Sequence, residues 1–217
     1  NATASVDDST LTITPDQDFN GDIVVTVVAD DTALTGSTSF TLSVLPVNDA
    51  PVVDTIDAQS IDEDVSFELL LSASDIDGDQ LTFSASVDGN ATASVDGANL
   101  TVVPDNDYFG DVQVTVVASD GVLSTATSFT LTVNNINDAP TVNPVADDSI
   151  FEEDIYTIDV SGSDVDGDDL TFSASVDGNA TASVDDSTLT ITPDQDFNGD
   201  IVVTVVADDT ALTGSTS

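Results

Sequence analysis

The sequence predicts an all-β chain of tandem Greek-key β-sandwiches, with about seven strands per 89-residue module, on three observations. The chain repeats itself, apolar residues alternate with polar ones at a period of two, and turn residues punctuate that alternation. Helical spacing of apolar residues is absent, so the crossovers that a parallel α/β sheet needs are not available.

The repeat sets the frame. Asn48-Asp49-Ala50-Pro51 returns as Asn137-Asp138-Ala139-Pro140, and Asp75-Ile76-Asp77-Gly78-Asp79 returns as Asp164-Val165-Asp166-Gly167-Asp168, each 89 positions on. Leu81 to Asp96 is identical to Leu170 to Asp185. Residues 1–39 are identical to residues 179–217, an offset of 178, or two modules. The expected division is the C-terminal part of one module at 1–48, a complete module at 49–137 and a nearly complete one at 138–217. The first piece lacks the front half of its module and is not expected to fold alone. The 217 residues read as a window on a longer tandem array, stabilised within units and between neighbours.

Along the complete module the strands follow from alternation. Phe67, Leu69 and Leu71 share a face, then Leu81, Phe83, Ala85 and Val87, then Leu100 and Val102. Val112, Val114, Val116 and Ala118 come next, and Phe129, Leu131 and Val133 close the module. The opposite positions of that last strand are Ser128, Thr130 and Thr132, which suit a solvated face. Asp88-Gly89-Asn90, Asp96-Gly97, Phe109-Gly110-Asp111 and Asp120-Gly121 supply the turns. The core is light, built from Val, Leu, Ala and Phe without Trp.

Composition excludes whole classes of function. There are 42 Asp plus Glu and no Lys, Arg, His or Cys, giving a formal net charge of -42. No basic residue exists to meet nucleic acid phosphates or an anionic membrane surface. Disulfides, zinc sites of Cys or His, and Ser-His or Cys-His nucleophiles are impossible. No apolar run approaches the ~20 residues of a membrane-spanning helix. With 40% hydrophobic residues the protein is also unlike an acidic disordered segment.

The acids crowd at strand ends and in loops: Asp49; Asp62, Glu63 and Asp64; Asp75, Asp77 and Asp79; Asp105 and Asp107; and Asp120. Clustered carboxylates without a basic partner must be screened, protonated or metallated. Asp-x-Asp-Gly-Asp sets carboxylates on alternate residues around a glycine turn, an arrangement that hard cations favour. Calcium, which accepts six to eight oxygens at roughly 2.3–2.6 Å in flexible geometry, suits an all-protein cage better than magnesium. The loop lacks the twelve-residue spacing and closing Glu of an EF-hand. A plain solvated acidic surface is the alternative, weakened by the repetition of the loop in register with Asn-Asp-Ala-Pro.

Those motifs resemble the cadherin-like tandem repeats of very large, repetitive bacterial surface proteins and adhesins. Asn48 to Pro51 and Asn137 to Pro140 resemble the cadherin linker, and Asp75-x-Asp77 and Asp164-x-Asp166 the acidic pair of the following domain. Ala118-Ser119-Asp120 resembles the Ala-x-Asp stretch of the penultimate strand, and Glu63-Asp64 and Glu152-Glu153-Asp154 the acidic signal near a domain's start. The resemblance implies a cadherin/immunoglobulin-like sandwich with Ca2+ between successive domains. At the junction near Asp138 it implies ligands among Glu63, Asp64, Asp105, Asp107, Asn137, Asp138, Asp164 and Asp166, with Asp168 and Asp208 or Asp209 as lesser candidates. At the junction near Asp49 it implies Asp16, Asp18, Asn48, Asp49, Asp75, Asp77 and Asp120, with Asp79 beside them. Glu152 and Asp154 are further candidate metal ligands. The module is shorter than an animal cadherin domain, and Pro104-Asp105-Asn106-Asp107 stands where a Leu-Asp-Arg-Glu motif is usual. One to three ions per junction are expected, with affinity in the ~10⁻⁴–10⁻³ M range of extracellular modules.

The function so indicated is a non-enzymatic extracellular spacer, a stalk or fibre on the cell surface whose partners are neighbouring repeats of the same chain. Other copies in a filament or matrix are alternative partners, as is carbohydrate gripped across calcium, though exposed aromatics to stack on sugars are few. Paired carboxylates can serve a glycosidase, yet here they recur identically in successive modules. The Asn-x-Thr triplets at Asn1, Asn90, Asn99 and Asn179 fit strand alternation better than glycosylation.

Overall fold

The computed structural model describes all 217 residues, which form 21 strands and no helix. The first piece contains β1 (Ala2–Asp7), β2 (Thr10–Pro15), β3 (Gly21–Asp30) and β4 (Thr35–Val44). Residues 49–137 contain β5 (Val52–Val53), β6 (Gln59–Asp62), β7 (Phe67–Leu70), β8 (Ala73–Ser74), β9 (Thr82–Val87), β10 (Ala91–Asp96), β11 (Asn99–Pro104), β12 (Gly110–Ser119) and β13 (Ser124–Asn134). In the last stretch lie β14 (Thr141–Val142), β15 (Tyr156–Asp159), β16 (Gly162–Ser163), β17 (Thr171–Val176), β18 (Ala180–Asp185), β19 (Thr188–Pro193), β20 (Val203–Asp208) and β21 (Thr213–Thr216).

Within residues 49–137 the sheet orders are β6-β13-β12-β9 and β10-β11-β7, with β5 paired to β8 as a two-residue ribbon. Seven longer strands in two sheets, with neighbours far apart in sequence, make the Greek-key sandwich. β6 was not among the strands expected from alternation. It pairs parallel to β13, with Gln59 to Asp62 opposite Leu131 to Asn134.

Residues 1–58, 67–102 and 113–130 form one compact body. Its core holds Leu100 and Val102 of β11, Val114, Val116 and Ala118 of β12, and Phe67, Leu71 and Phe129, all buried. Phe67 and Phe129 meet with ring centroids 5.9 Å apart and planes tilted by 51°. Alternation predicts each of these inward positions.

Residues 59–66, 103–112 and 131–217 form a second body, with Val160, Leu189, Ile191 and Val205 at the centre of one cluster. Tyr156, Ile158, Phe172, Ala174 and Ala182 pack around it. β19 is the middle strand of a sheet ordered β15-β19-β18, and β20 of one ordered β17-β20-β21. Between β18 and β19 the turn carries a left-handed residue, Asp186 at φ 52°; the equivalent between β10 and β11 is Gly97 at φ 61°. Asp tolerates that region better than most side chains, so the turn survives the exchange.

Candidate metal centres

Each acidic loop is wound by its own first carboxylate. Asp75 Oδ1 accepts the N–H groups of Asp77 at 2.9 Å and Asp79 at 3.4 Å, and Asp164 Oδ1 accepts those of Asp166 and Asp168 at the same distances. Gly78 and Gly167, at φ 81° and 82°, close the turn in a region that a Cβ disfavours. The second carboxylate of each loop then takes the linker backbone. Asp49 N donates to Asp77 Oδ2 at 2.8 Å, and Asp138 N donates to Asp166 Oδ2 at 2.7 Å.

The strand-end aspartates complete the arrangement. Asp120 Oδ1 accepts from the N–H groups of Val122 and Leu123, and its Oδ2 from Asn48 Nδ2 at 2.9 Å. Asp209 does the same with Ala211, Leu212 and, at 2.9 Å, Asn137 Nδ2. The linker asparagines, expected as ligands, thus donate through Nδ2 to an aspartate and also to the carbonyls of Asp49 and Asp138. The Asn48 carboxamide, followed by the Val122 and Leu123 N–H groups, holds Asp120 below the usual carboxylate range. Asp209 is held low by Leu212 N–H, Asn137 and Ala211 N–H.

At Asp138 the upstream side is a buried acid. Glu63 is 5% exposed; its Oε1 accepts Ile136 N–H at 2.6 Å, and its own N–H donates to Asn134 O at 3.0 Å. Asp107 N–H lies 3.4 Å from Asp64 Oδ1. The ligand oxygens of Glu63, Asp138 and Asp166 fall within 4.8 Å of one another, as do those of Asp164, Asp166 and Asp168, and those of Asp75, Asp77 and Asp79. Five buried carboxylate oxygens have no hydrogen-bond partner: Glu63 Oε2, Asp75 Oδ2, Asp138 Oδ2, Asp164 Oδ2 and Asp166 Oδ1. Leaving a buried acceptor unpaired is costly, and more so when it is charged.

The remaining oxygens repel. Asp138 is pushed above the usual carboxylate range by burial first, then by Asp107, Asp166, Asp64 and Asp164. Burial and then Asp18, Asp77 and Asp75 raise Asp49. Burial and then Asp164, Asp166, Asp209 and Asp169 raise Asp168. No side chain of the protein carries a positive charge. Two oxygens bound to one Ca2+ at roughly 2.3–2.6 Å can be no more than about 5 Å apart. The donor set is all oxygen, its spacing is within that limit, and its orphaned atoms lack any other partner, so the residues fit a hard divalent cation.

The structure brings Asn48, Asp49, Asp75, Asp77, Asp79 and Asp120 together within the first body, with Asp18 near enough to act on Asp49. In the second body it gathers Glu63, Asp64, Asp107, Asn137, Asp138, Asp164, Asp166, Asp168 and Asp209. The Asp16 and Asp105 carbonyls accept the N–H groups of Phe19 and Tyr108 in equivalent turns, and neither carboxylate belongs to a grouped set of ligand oxygens. Glu152 and Asp154 lie exposed around a turn in which Asp154 N–H bonds Phe151 O, outside both clusters. Sequence reasoning missed the Ile136 N–H as a partner for Glu63. No local signal marks that contact, because β6, the strand directly before Glu63, is recognisable only beside the end of β13.

A family model described as bacterial Ig domain matches residues 48–134 and again 137–217. Chitinase A of Pseudoalteromonas piscicida is 37% identical over 112 residues, which are 48% of this chain and 13% of that protein. Among solved structures, Drosophila N-cadherin EC1-4 aligns with 98% of this chain and 62% of its own length, at 17% identity and a TM-score of 0.48. Human protocadherin-24 EC1-2 aligns with 79% of this chain and 94% of its own, at 16% identity and a TM-score of 0.44. An endo-fucoidan hydrolase from glycoside hydrolase family 107 aligns over 99% of this chain and 36% of its own, at 20% identity and a TM-score of 0.38. On the two tandem matches, which together take in most of its length, the chain belongs to the bacterial Ig domain family.

Proposed function

We propose that the chain is part of a non-enzymatic extracellular array, a stalk or fibre, whose modules at 1–48, 49–137 and 138–217 are held in register by Ca2+ at the junctions near Asp49 and Asp138. One observation carries this reading: buried carboxylate oxygens of Glu63, Asp138, Asp164 and Asp166 converge without partners in a protein that has no basic residue. Bound calcium would supply the positive charge that turns this repulsion into attraction.

The protein's own residues do the positioning. Asp166 and Asp77 fix the linker backbone through Asp138 N and Asp49 N, and each leaves its other oxygen for a cation. Asn137 and Asn48 tie the linker to Asp209 and Asp120. Glu63 holds the Ile136 N–H with one oxygen and offers the other. Binding energy then becomes stiffness at the linker, because the ligands come from both sides of it. Pro51 and Pro140, both buried, restrict φ directly after the border.

Small-angle scattering during a calcium titration from chelator to millimolar tests the reading. The maximum dimension should rise and saturate, and Asp75→Asn with Asp77→Asn should remove the part due to the junction near Asp49 while each sandwich stays folded. A profile unchanged by calcium, with equal order in chelator, would leave a plain acidic spacer. A second reading draws on the matching segment of a protein named chitinase A: the array spaces a catalytic domain from its surface. Under it, this chain alone neither binds nor cleaves chitin, and retention on chitin beads would point to a binding module instead.

A further inference from the structure

We propose that Asn20 and Asn198 are sites of spontaneous deamidation, each of which adds one negative charge to an already acidic loop as the protein ages. Of the asparagines in the sequence, these two alone are followed by glycine. Both are exposed, and neither carboxamide makes a hydrogen bond. Gly21 and Gly199 present a backbone nitrogen with no Cβ beside it to hinder approach.

Several other asparagines are protected in different ways. Asn48 and Asn137 precede aspartates, and their Nδ2 atoms are tied to Asp120 and Asp209. Asn143 donates to Ser161 Oγ and precedes Pro144, whose nitrogen has no proton to lose. Asn134 donates to Asp62 Oδ1, and Asn90 and Asn99 precede Ala and Leu.

The chemistry needs only water. The Gly21 nitrogen gives up its proton to solvent and attacks Cγ of Asn20. The new bond between that nitrogen and Cγ closes a five-membered imide as the bond from Cγ to Nδ2 breaks and ammonia leaves. Water then opens the ring on one side or the other, giving aspartate or isoaspartate, and either product adds one negative charge.

The turn cannot shed this reactivity by replacing its glycine. Gly21 and Gly199 sit at φ 127° and 149°, and a Cβ on Gly199 would lie 3.0 Å from the Phe197 ring. The complete module keeps the glycine, Gly110 at φ 134°, but has Phe109 where the others have asparagine. The three modules therefore share one turn and differ in its durability. Asn20 lies two residues after Asp18, and Asn198 two after Asp196. The loop that serves the junction near Asp138 ends in Tyr108-Phe109-Gly110 and gains no charge. That unequal ageing of junctions rests on the calcium reading above; the modification itself does not.

The test incubates the full chain in mildly alkaline buffer and follows it by anion-exchange chromatography and intact mass. Two successive acidic species should accumulate, each with the small mass gain of oxygen replacing NH. Asn20→Gln and Asn198→Gln should each leave one such species, and the double variant should form none. Aspartate isomerisation at the Asp-Gly turns changes neither charge nor mass and is silent in this readout. Equal acidification of the double variant would overturn the proposal. So would a stable wild-type protein over a time in which the free peptide Asp18 to Asp22 converts fully. A calcium-insensitive protein that still deamidates at both sites would sink the calcium reading and leave this inference standing.

Discussion

Residues 1–39 and 179–217 have the same sequence and different fates. Both form the same first hairpin, β1 with β2 and β18 with β19, in the same register: Ala2 faces Pro15 as Ala180 faces Pro193. Yet Leu189, Val205 and Ala207 are 2%, 3% and 0% exposed, whereas Leu11 and Val27 are half-buried and Ala29 is exposed. The difference comes from β15 and β17, which pair with β19 and β20, whereas β2 and β3 pair only with β1 and β4. The first hairpin and its register are local properties of this sequence; burial is not. The same holds for the acids. Asp209 is buried and bonded by Asn137, while Asp31, its twin, is exposed and bonds only the Ala33 and Leu34 N–H groups of its own loop.

The largest test of that contrast is a pair of truncations. Leu189→Ala removes a buried side chain and should cost about 2–5 kcal/mol in denaturant unfolding, whereas Leu11→Ala, in the same local sequence, should cost a small fraction of that. A similar cost at both positions would mean that the first piece has a core of its own.

Next in size is the loss of Asn137. Asn137→Ala should bring Asp209 back up toward the ordinary carboxylate range in a carboxyl NMR titration and leave Asp31 where it is, still lowered by Leu34 and Ala33. If Asp209 does not move, its Leu212 and Ala211 bonds suffice and the linker asparagine has another purpose.

The smallest expected effect is on pH dependence in chelator. Asp138 has a folded pKa above its unfolded one, so its charged form opposes folding. That penalty is fully present above the folded pKa and is relieved as pH falls through it. Asp209 has the opposite sign: its contribution is present above the ordinary carboxylate pKa and is lost as pH falls below it. Mild acidification should therefore first stabilise the second body and then destabilise it, and saturating calcium should abolish the first phase. A monotonic loss of stability from neutral pH would contradict the repulsion at Asp138.

Much of this was legible in the sequence because alternation and turn chemistry are local. Val114, Val116, Ala118, Leu131 and Val133 point inward as their period requires. The loops at Asp75 and Asp164 were legible because each carboxylate winds its own turn. What stayed hidden depends on distance along the sequence. Glu63 reaches Ile136 across 73 positions, and β6 is too short and too polar to announce a strand until β13 lies beside it. Asp18 and Asp107 act on the linker aspartates while Asp16 and Asp105, two residues before them, do not, a distinction that their shared spacing does not reveal.

The parallel pairing of β6 with β13 has a mechanical consequence. The backbone enters the complete module's main sheet at Gln59 and leaves it at Asn134, on strands running in one direction. Tension applied to the two ends pulls these strands past each other lengthwise. Their ladder, extended by Glu63 N–H to Asn134 O and Ile136 N–H to Glu63, is then loaded as a set and must yield together. An antiparallel hairpin pulled from its open end yields one bond at a time. Pulled by its ends, the chain would bear its load on this short patch.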